Sequence, residues 1–155
     1  THVAWTLCPT ASVLVATRTY LRRMGAPKVP ADLQAHNCLH YPRSQETPVW
    51  TLQPRERKRG QERVSVPVSG AFSANNSEAL REAALASAGI ALLPDFSAQQ
   101  ALQKGQLVQV LPDWQPVGSF ADHLYAIRPY TAHVPRAVAA LVAHLRQGLA
   151  AGFAA

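Results

Sequence analysis

Hydrophobic and polar positions along this chain change period repeatedly, and each change marks an element. The run SVLVAT (Ser12 to Thr17) is short, apolar and β-branched, which predicts a buried strand. TYLRRMG reads as a short helix halted at Gly25. Pro27 and Pro30 make a turn, and Ala31 to His36 reads as one helical turn with Pro30 near its start. CLHYP is a further short strand, ended by Pro42. VWTLQP and RVSVPVSGAFSAN alternate apolar with polar residues and predict a hairpin or two neighbouring strands. Pro67 places the second of them at an edge or a bulge.

The stretch ANNSEALREAALASAGIALLPDF (Ala74 to Phe96) returns to helical spacing. Asn75 and Glu78 stand at capping-box distance, so Asn75 is the predicted N-cap of a helix over Asn76 to Ala88. Gly89 is its predicted left-handed stop. Leu80, Ala83, Ala84 and Ala88 form a narrow apolar stripe, small enough for the helix to lie close on a sheet. IALLP then predicts a buried strand, SAQQALQKG a shorter helix stopped by Gly105, and QLVQVLPDW another strand. PVGSFAD is a turn-rich link and HLYAIRP a strand. The final helix carries Val134, Val138, Leu141, Val142 and Leu145 on one side, with Pro135 in its first turn. Strands and helices alternate, with a hairpin-like pair interrupting the order. This favours an α/β sandwich with a mixed sheet.

Composition narrows the function classes. A length of 155 residues, with 48% hydrophobic and 15% charged, suits one globular domain with a real core. No run approaches the ~18 apolar residues of a membrane span, and THVAWTLCPT lacks the basic-then-apolar layout of an export signal. Cys8 and Cys38 are too few for a disulfide framework and suit free thiols in a reducing compartment, so the expectation is a cytoplasmic protein. The net charge of +6 owes much to PRERKRGQER, where Arg55, Arg57, Lys58 and Arg59 stand with Glu56 and Glu62. With no aromatic residue for base stacking, the stretch reads as a solvated hairpin tip, with phosphate contact as the alternative. His36, Cys38 and His40 would share one strand face, but a closed zinc site needs about four ligands. They are read as a buried thiol with two structural histidines, so no metal is assigned. Motifs of serine hydrolases, zinc proteases, P-loops and dinucleotide sites are missing, so neither an enzyme nor a cofactor is expected.

Five stretches carry a resemblance: VAWTLCPTASVLVATRTYL, VPADLQAHNCL, NNSEALREAALASAGIALLPDF, GQLVQVLPDW and LYAIRPYTAHVPRAVAALVAHL. In order and spacing, from about Val3 to Leu145, they resemble the effector-binding (substrate-binding) domain of LysR-type transcriptional regulators. The resemblance implies a fold like a type 2 periplasmic binding protein, with two α/β subdomains around a small-molecule cleft. It implies that residues 1–155 form a truncated effector-binding domain. Residues 12–118 would be subdomain II, and residues 119–147 the C-terminal strand and helix that rejoin subdomain I. The chain would cross between subdomains near Ser12 to Val15 and near Ser119 to Leu124. The DNA-binding domain and the first half of subdomain I would lie outside this sequence. The last helix would then need another cover for its stripe, such as a second copy of the chain.

Candidate chemistry centres on the helix start. A helix N-terminus leaves up to four N–H groups unpaired and carries about half a positive charge. Anions bind there readily, and ligands of open α/β sheets collect at the strand ends where such helices begin. Asn75, Asn76 and Ser77 are therefore assigned to effector binding, the plain alternative being helix capping alone. HYPRSQ follows a strand and supplies Tyr41 as an aromatic face and Arg43 as a carboxylate partner; Arg43 as an ordinary surface residue is the alternative. Pro94, Asp95 and Phe96 leave a strand end and border the same cleft, with core packing the alternative for Phe96. The expected ligand is a small acid or another oxygen-rich metabolite. The expected function is effector sensing in a transcription regulator that is homo-oligomeric, avoids membranes and contacts DNA only through the missing domain. The rivals are a solute-binding protein for transport, a small hydrolytic enzyme and a basic nucleic-acid module.

Overall fold

A computed structural model of the chain describes residues 1–42, 47–56 and 62–153. In chain order the described elements are β1 (His2–Pro9), β2 (Ser12–Ala16), α1 (Arg18–Met24), a 3-10 turn (Pro30–Ala35), β3 (Cys38–Leu39), β4 (Val49–Pro54), β5 (Val64–Pro67), α2 (Ser77–Leu85), β6 (Ile90–Pro94), α3 (Asp95–Gln103), β7 (Val108–Gln109), β8 (Trp114–Val117), β9 (His123–Pro129) and α4 (Arg136–Gly148). No helix among the described residues is long and apolar enough to cross a membrane.

β2 and β6 are buried at every position, which explains their unbroken apolar runs. They pair antiparallel at the centre of a four-stranded sheet ordered β3-β6-β2-β7. β3 runs parallel to β6, so the sheet is mixed. The alternation of side chains across the pleat splits these strands between two cores. Val13, Val15, Ala91 and Leu93 face Leu80 and Ala84 of α2 and Ala98 and Ala101 of α3. Leu14, Ala16, Ile90 and Leu92 face Tyr20 of α1 and Trp50, Leu52 and Val66 of a second sheet. That sheet, ordered β5-β4-β8, contains the predicted hairpin, with β4 and β5 antiparallel and Pro67 on the edge strand. The result is a three-layer α/β sandwich: helices, central sheet, then hairpin sheet with α1.

β1 and β9 stand apart as an antiparallel two-stranded sheet, with a bulge between Thr6 and Cys8. α4 packs on β1, burying Val142 and leaving Leu141, expected in the apolar stripe, 57% exposed. The connections between this sheet and the sandwich are Thr10–Ala11 and residues 118–122, held together where Thr10 N–H donates to the Asp122 carbonyl at 2.9 Å. Ser12 to Val15, expected at a crossing, lie within β2 instead.

Several local expectations are corrected. β1 was not among the predicted elements. Asn76, not Asn75, caps α2. Its side-chain oxygen accepts from the N–H groups of Glu78 at 2.8 Å and Ala79 at 3.1 Å. The helix ends at Leu85, and the left-handed residue after it is Ser87 (φ 60°), not Gly89. Ser87 N–H donates to Ala84 O and Ala88 N–H to Ala83 O, the paired bonds of a Schellman stop. α3 begins at Asp95, two residues earlier than read from SAQQALQKG. The strand expected across QLVQVLPDW stops at Gln109. The chain turns at Leu111 (φ 51°), and part of the expected link becomes β8.

Candidate functional site

The C-terminal ends of the parallel strands β3 and β6 lie on one edge of the central sheet. β3 leads to Tyr41, and His40 bridges to Ser73, with Ala74 N–H donating to the His40 carbonyl at 3.2 Å. That bridge brings the residues ahead of α2, and hence Asn75, Asn76 and Ser77, to the same edge. β6 leads to Pro94, which pairs with Ser12 at the start of β2. Asp95 and Phe96 follow directly. Tyr41, Asn75 to Ser77 and Pro94 to Phe96 thus share one edge, beside both connecting segments. Arg43 lies outside the described residues.

The groups differ in what they leave available to a ligand. Asn76 is exposed, but its oxygen is occupied by Glu78 and Ala79, and its carbonyl accepts from Leu80 N–H. Of the first-turn donors, the N–H of Ser77 is the one Asn76 does not satisfy. Ser77 itself is buried and Asn75 is exposed. Pro94 is buried in β6. Asp95 is turned inward, only 4% exposed. Its carboxylate accepts from Thr10 Oγ1 at 2.6 Å, Ala11 N–H at 2.8 Å and Phe96 N–H at 2.8 Å. It therefore ties the first connection to the start of α3.

The two aromatic candidates each meet a ring from outside the sandwich. Tyr41 meets Phe120 of the second connection edge-on, with centroids 5.2 Å apart. Phe96, which is 42% exposed, meets Phe153 beyond α4 at 5.6 Å. A cavity of about 480 Å³ opens along the connections, lined by Thr10 to Ser12, Gln115 to Gly118, Phe120 and Arg63. Arg63 donates through Nε to Gln53 Oε1 at 3.2 Å, and Gln115 donates to the Ser12 carbonyl at 2.8 Å. The seven described residues among those assigned from sequence are not in its lining. Thr10, Gln115 and Phe120 were missed because they adjoin no helix start and belong to no motif, and Arg63 because the basic stretch it closes reads as a solvated tip. The proline-glycine punctuation around QPVGSF is the one signal that a connection passes there.

The histidine and cysteine cluster has internal roles. The Tyr20 hydroxyl accepts Asn37 N–H and lies 3.1 Å from His36 Nδ1. Burial holds the His36 imidazole below its ordinary pKa, against the opposing pull of Asp32. Cys38 Sγ donates to the Leu33 carbonyl, and burial pushes its thiol up to about 12. His40 Nδ1 lies 3.2 Å from the Tyr41 carbonyl.

Comparison with known proteins follows the same outline. The LysR substrate binding domain family matches residues 2–150. Among curated proteins, the probable HTH-type transcriptional regulator LtrA of Klebsiella pneumoniae is 32% identical over 141 residues, covering 91% of this chain and 44% of that protein. The HTH-type transcriptional regulator PtxR of Pseudomonas aeruginosa is 33% identical, covering 92% and 43%. The chain thus spans less than half the length of these relatives. Among solved structures, the regulatory domain of AphB from Vibrio vulnificus, treated with cumene hydroperoxide, superposes with a TM-score of 0.73 at 26% identity, covering 93% of this chain and 67% of that one. The regulatory domain of CrgA, a LysR-type transcriptional regulator from Neisseria meningitidis, gives 0.75 at 23% identity over 96% and 69%, a likeness of fold. With the match running through all three described sheets and α4, the chain belongs to the LysR substrate-binding domain family, and its mixed α/β fold is the periplasmic-binding-protein-like type 2 fold of LysR-type regulatory domains.

Proposed function

We propose that this chain is the ligand-sensing part of a LysR-type transcription regulator, and that it binds a small organic acid without transforming it. The observation that carries this is the convergence on one sheet edge. The ends of β3 and β6, the start of α2 and both connecting segments meet there, beside a cavity of about 480 Å³. An edge of this kind is where open α/β sheets receive ligands. Tyr41, Asn75, Asn76, Ser77, Pro94 and Phe96 border the site on the sandwich side. Asp95 serves it indirectly by fixing Thr10. Residues 12–118 act as subdomain II, and residues 119–147 belong with subdomain I. The relatives' additional length houses the DNA-binding part, and regulation proceeds in the cytoplasm through a homo-oligomer. Ligand binding shifts the angle between the β1–β9 sheet and the sandwich, and so the placement of attached DNA-binding heads.

The test uses a full-length regulator carrying this domain. Asn76→Asp preserves the cap, since aspartate caps as well as asparagine, while placing a negative charge at the helix start. Calorimetric titration with a panel of small mono- and dicarboxylates is expected to show at least one binder. Its affinity should fall about tenfold or more in the variant, equivalent to ~1.4 kcal/mol, with the melting temperature unchanged. An unaltered affinity for the acid that binds would overturn the placement of the site, and silence across the whole panel would overturn the ligand class.

A further inference from the structure

A second cavity lies in the sandwich itself and shares no lining residue with the first. Its volume is about 460 Å³. Lys28 and Val29 form one wall, ahead of the 3-10 turn. The end of β4, Pro54 to Glu56, forms another, and Asp113 with Trp114 closes the third. Pro54, Arg55 and Glu56 open the basic stretch that reads as a solvated tip, and Asp113 and Trp114 close QLVQVLPDW.

Three observations mark it as built for a guest. The turn that presents Asp113 and Trp114 depends on Leu111 at φ 51°, a left-handed conformation costly for a leucine. Strain of this kind persists where the surroundings enforce it. Next, Arg55 and Asp113 are backbone neighbours, Arg55 N–H donating to the Asp113 carbonyl at 2.9 Å. Their side chains nevertheless form no ion pair. The Arg55 guanidinium instead donates through Nε to the Pro112 carbonyl at 2.9 Å, a neutral acceptor. The Asp113 carboxylate and the Lys28 ammonium make no side-chain hydrogen bond or ion pair among the described residues. Finally, apolar surface adjoins these charges. Val29 is 49% exposed and Trp114 is only partly covered by the core.

Two cations, Lys28 and Arg55, and two carboxylates, Glu56 and Asp113, line this one groove. A ligand of a single charge sign meets repulsion as well as attraction there. A zwitterion gains at both ends. The adjacency of Arg55 and Asp113 puts opposite charges close together, as they are in an α-amino acid. We infer that this groove binds a free α-amino acid with an apolar side chain, its carboxylate on Arg55 and Lys28, its ammonium on Asp113, and its side chain against Trp114 and Val29. This gives the domain a second input, separate from the acid at the sheet edge.

Trp114 supplies the readout. L-leucine titrated into this chain is expected to produce a saturable change in tryptophan fluorescence. N-acetyl-L-leucine, which lacks the ammonium, and L-leucinamide, which lacks the carboxylate, should bind at least about tenfold more weakly. Asp113→Asn and Lys28→Gln replace exposed side chains that form no hydrogen bond or ion pair among the described residues, so both variants should melt close to the parent yet lose the response to L-leucine. Trp114→Phe should remove the L-leucine-induced change in fluorescence, Trp5 and Trp50 still emitting, while calorimetry still detects binding. The absence of saturable binding by fluorescence and calorimetry overturns the proposal. So does equal binding of the acetylated or amidated compound, or an unchanged response in Asp113→Asn.

Discussion

Asp95 shows how much one buried carboxylate organises. It sits at the first position of α3, where Pro94 offers no side-chain cap, and it takes Phe96 N–H for the helix while taking Thr10 Oγ1 and Ala11 N–H from the connection. Hydrogen bonds to a charged group contribute about 1.5–3 kcal/mol each, and stranded partners cost more than lost bonds. Asp95→Ala should therefore destabilise the chain by about 3 kcal/mol in urea melts, and Thr10→Val by about 1 kcal/mol. Equal small losses from both would mean that the carboxylate is not the organiser. Sequence reading placed Asp95 near the cleft but not facing inward, because its partner lies 85 positions away. His36 makes a different case. Its folded-state pKa is lowered by burial, so its neutral form is the one folding favours. Its contribution to stability is complete above the unfolded value near 6.5 and is lost as pH falls through the lower folded value. Thermal melts of the parent should decline on going from pH 7.5 toward 5. That portion of the decline should be absent in His36→Gln, while the depressed Asp32 carboxyl, held by the N–H groups of Lys28 and Val29, acts further into acid.

At the scale of elements, the end of α2 separates two uses of glycine. Ser87 carries the left-handed turn and is held by its hydroxyl, 2.6 Å from Thr17 Oγ1. Gly89 is needed for space, since a Cβ there would run into the backbone carbonyl of Asn37. Backbone cannot swing aside as a side chain does. Gly89→Ala should accordingly cost about 2 kcal/mol or more by overpacking. Ser87→Gly should change stability by less than about 1 kcal/mol, because relief of the left-handed strain offsets the lost hydroxyl bond. Urea denaturation of the two variants checks the order, and a reversed order would restore Gly89 as the helix stop. The same contrast explains what was legible. SVLVAT and IALLP announced themselves because both faces of each strand are buried. The hairpin was readable from its alternation. β1 was not, because its apolar positions are only half-buried and interspersed with exposed ones. QLVQVLPDW misled for a related reason: Val110 and Leu111 are buried by a turn, not by a continuing strand.

For the whole molecule, the question is how firmly the small β1–β9 sheet with α4 is fastened to the sandwich. Resemblance indicated that the chain crosses twice between two bodies; only coordinates show what spans the junction. Besides Asp95, two ring pairs do so, Tyr41 with Phe120 and Phe96 with Phe153. Both join a sequence-assigned site residue to a partner no sequence pattern identified. An edge-on aromatic pair contributes about 0.5–1.5 kcal/mol beyond its burial. Removing one ring should raise the population of the detached state by up to about tenfold. Phe153→Ala is thus expected to speed amide hydrogen exchange several-fold in β1 and β9. Exchange in β2 and β6, whose bonds lie inside the sandwich, should stay as it was. Phe96→Ala should produce the same local effect. The double variant should be little worse than either single one, since both remove the same contact. Uniform acceleration across all strands would mean the pair supports global stability instead, and additive effects would mean the two rings act separately.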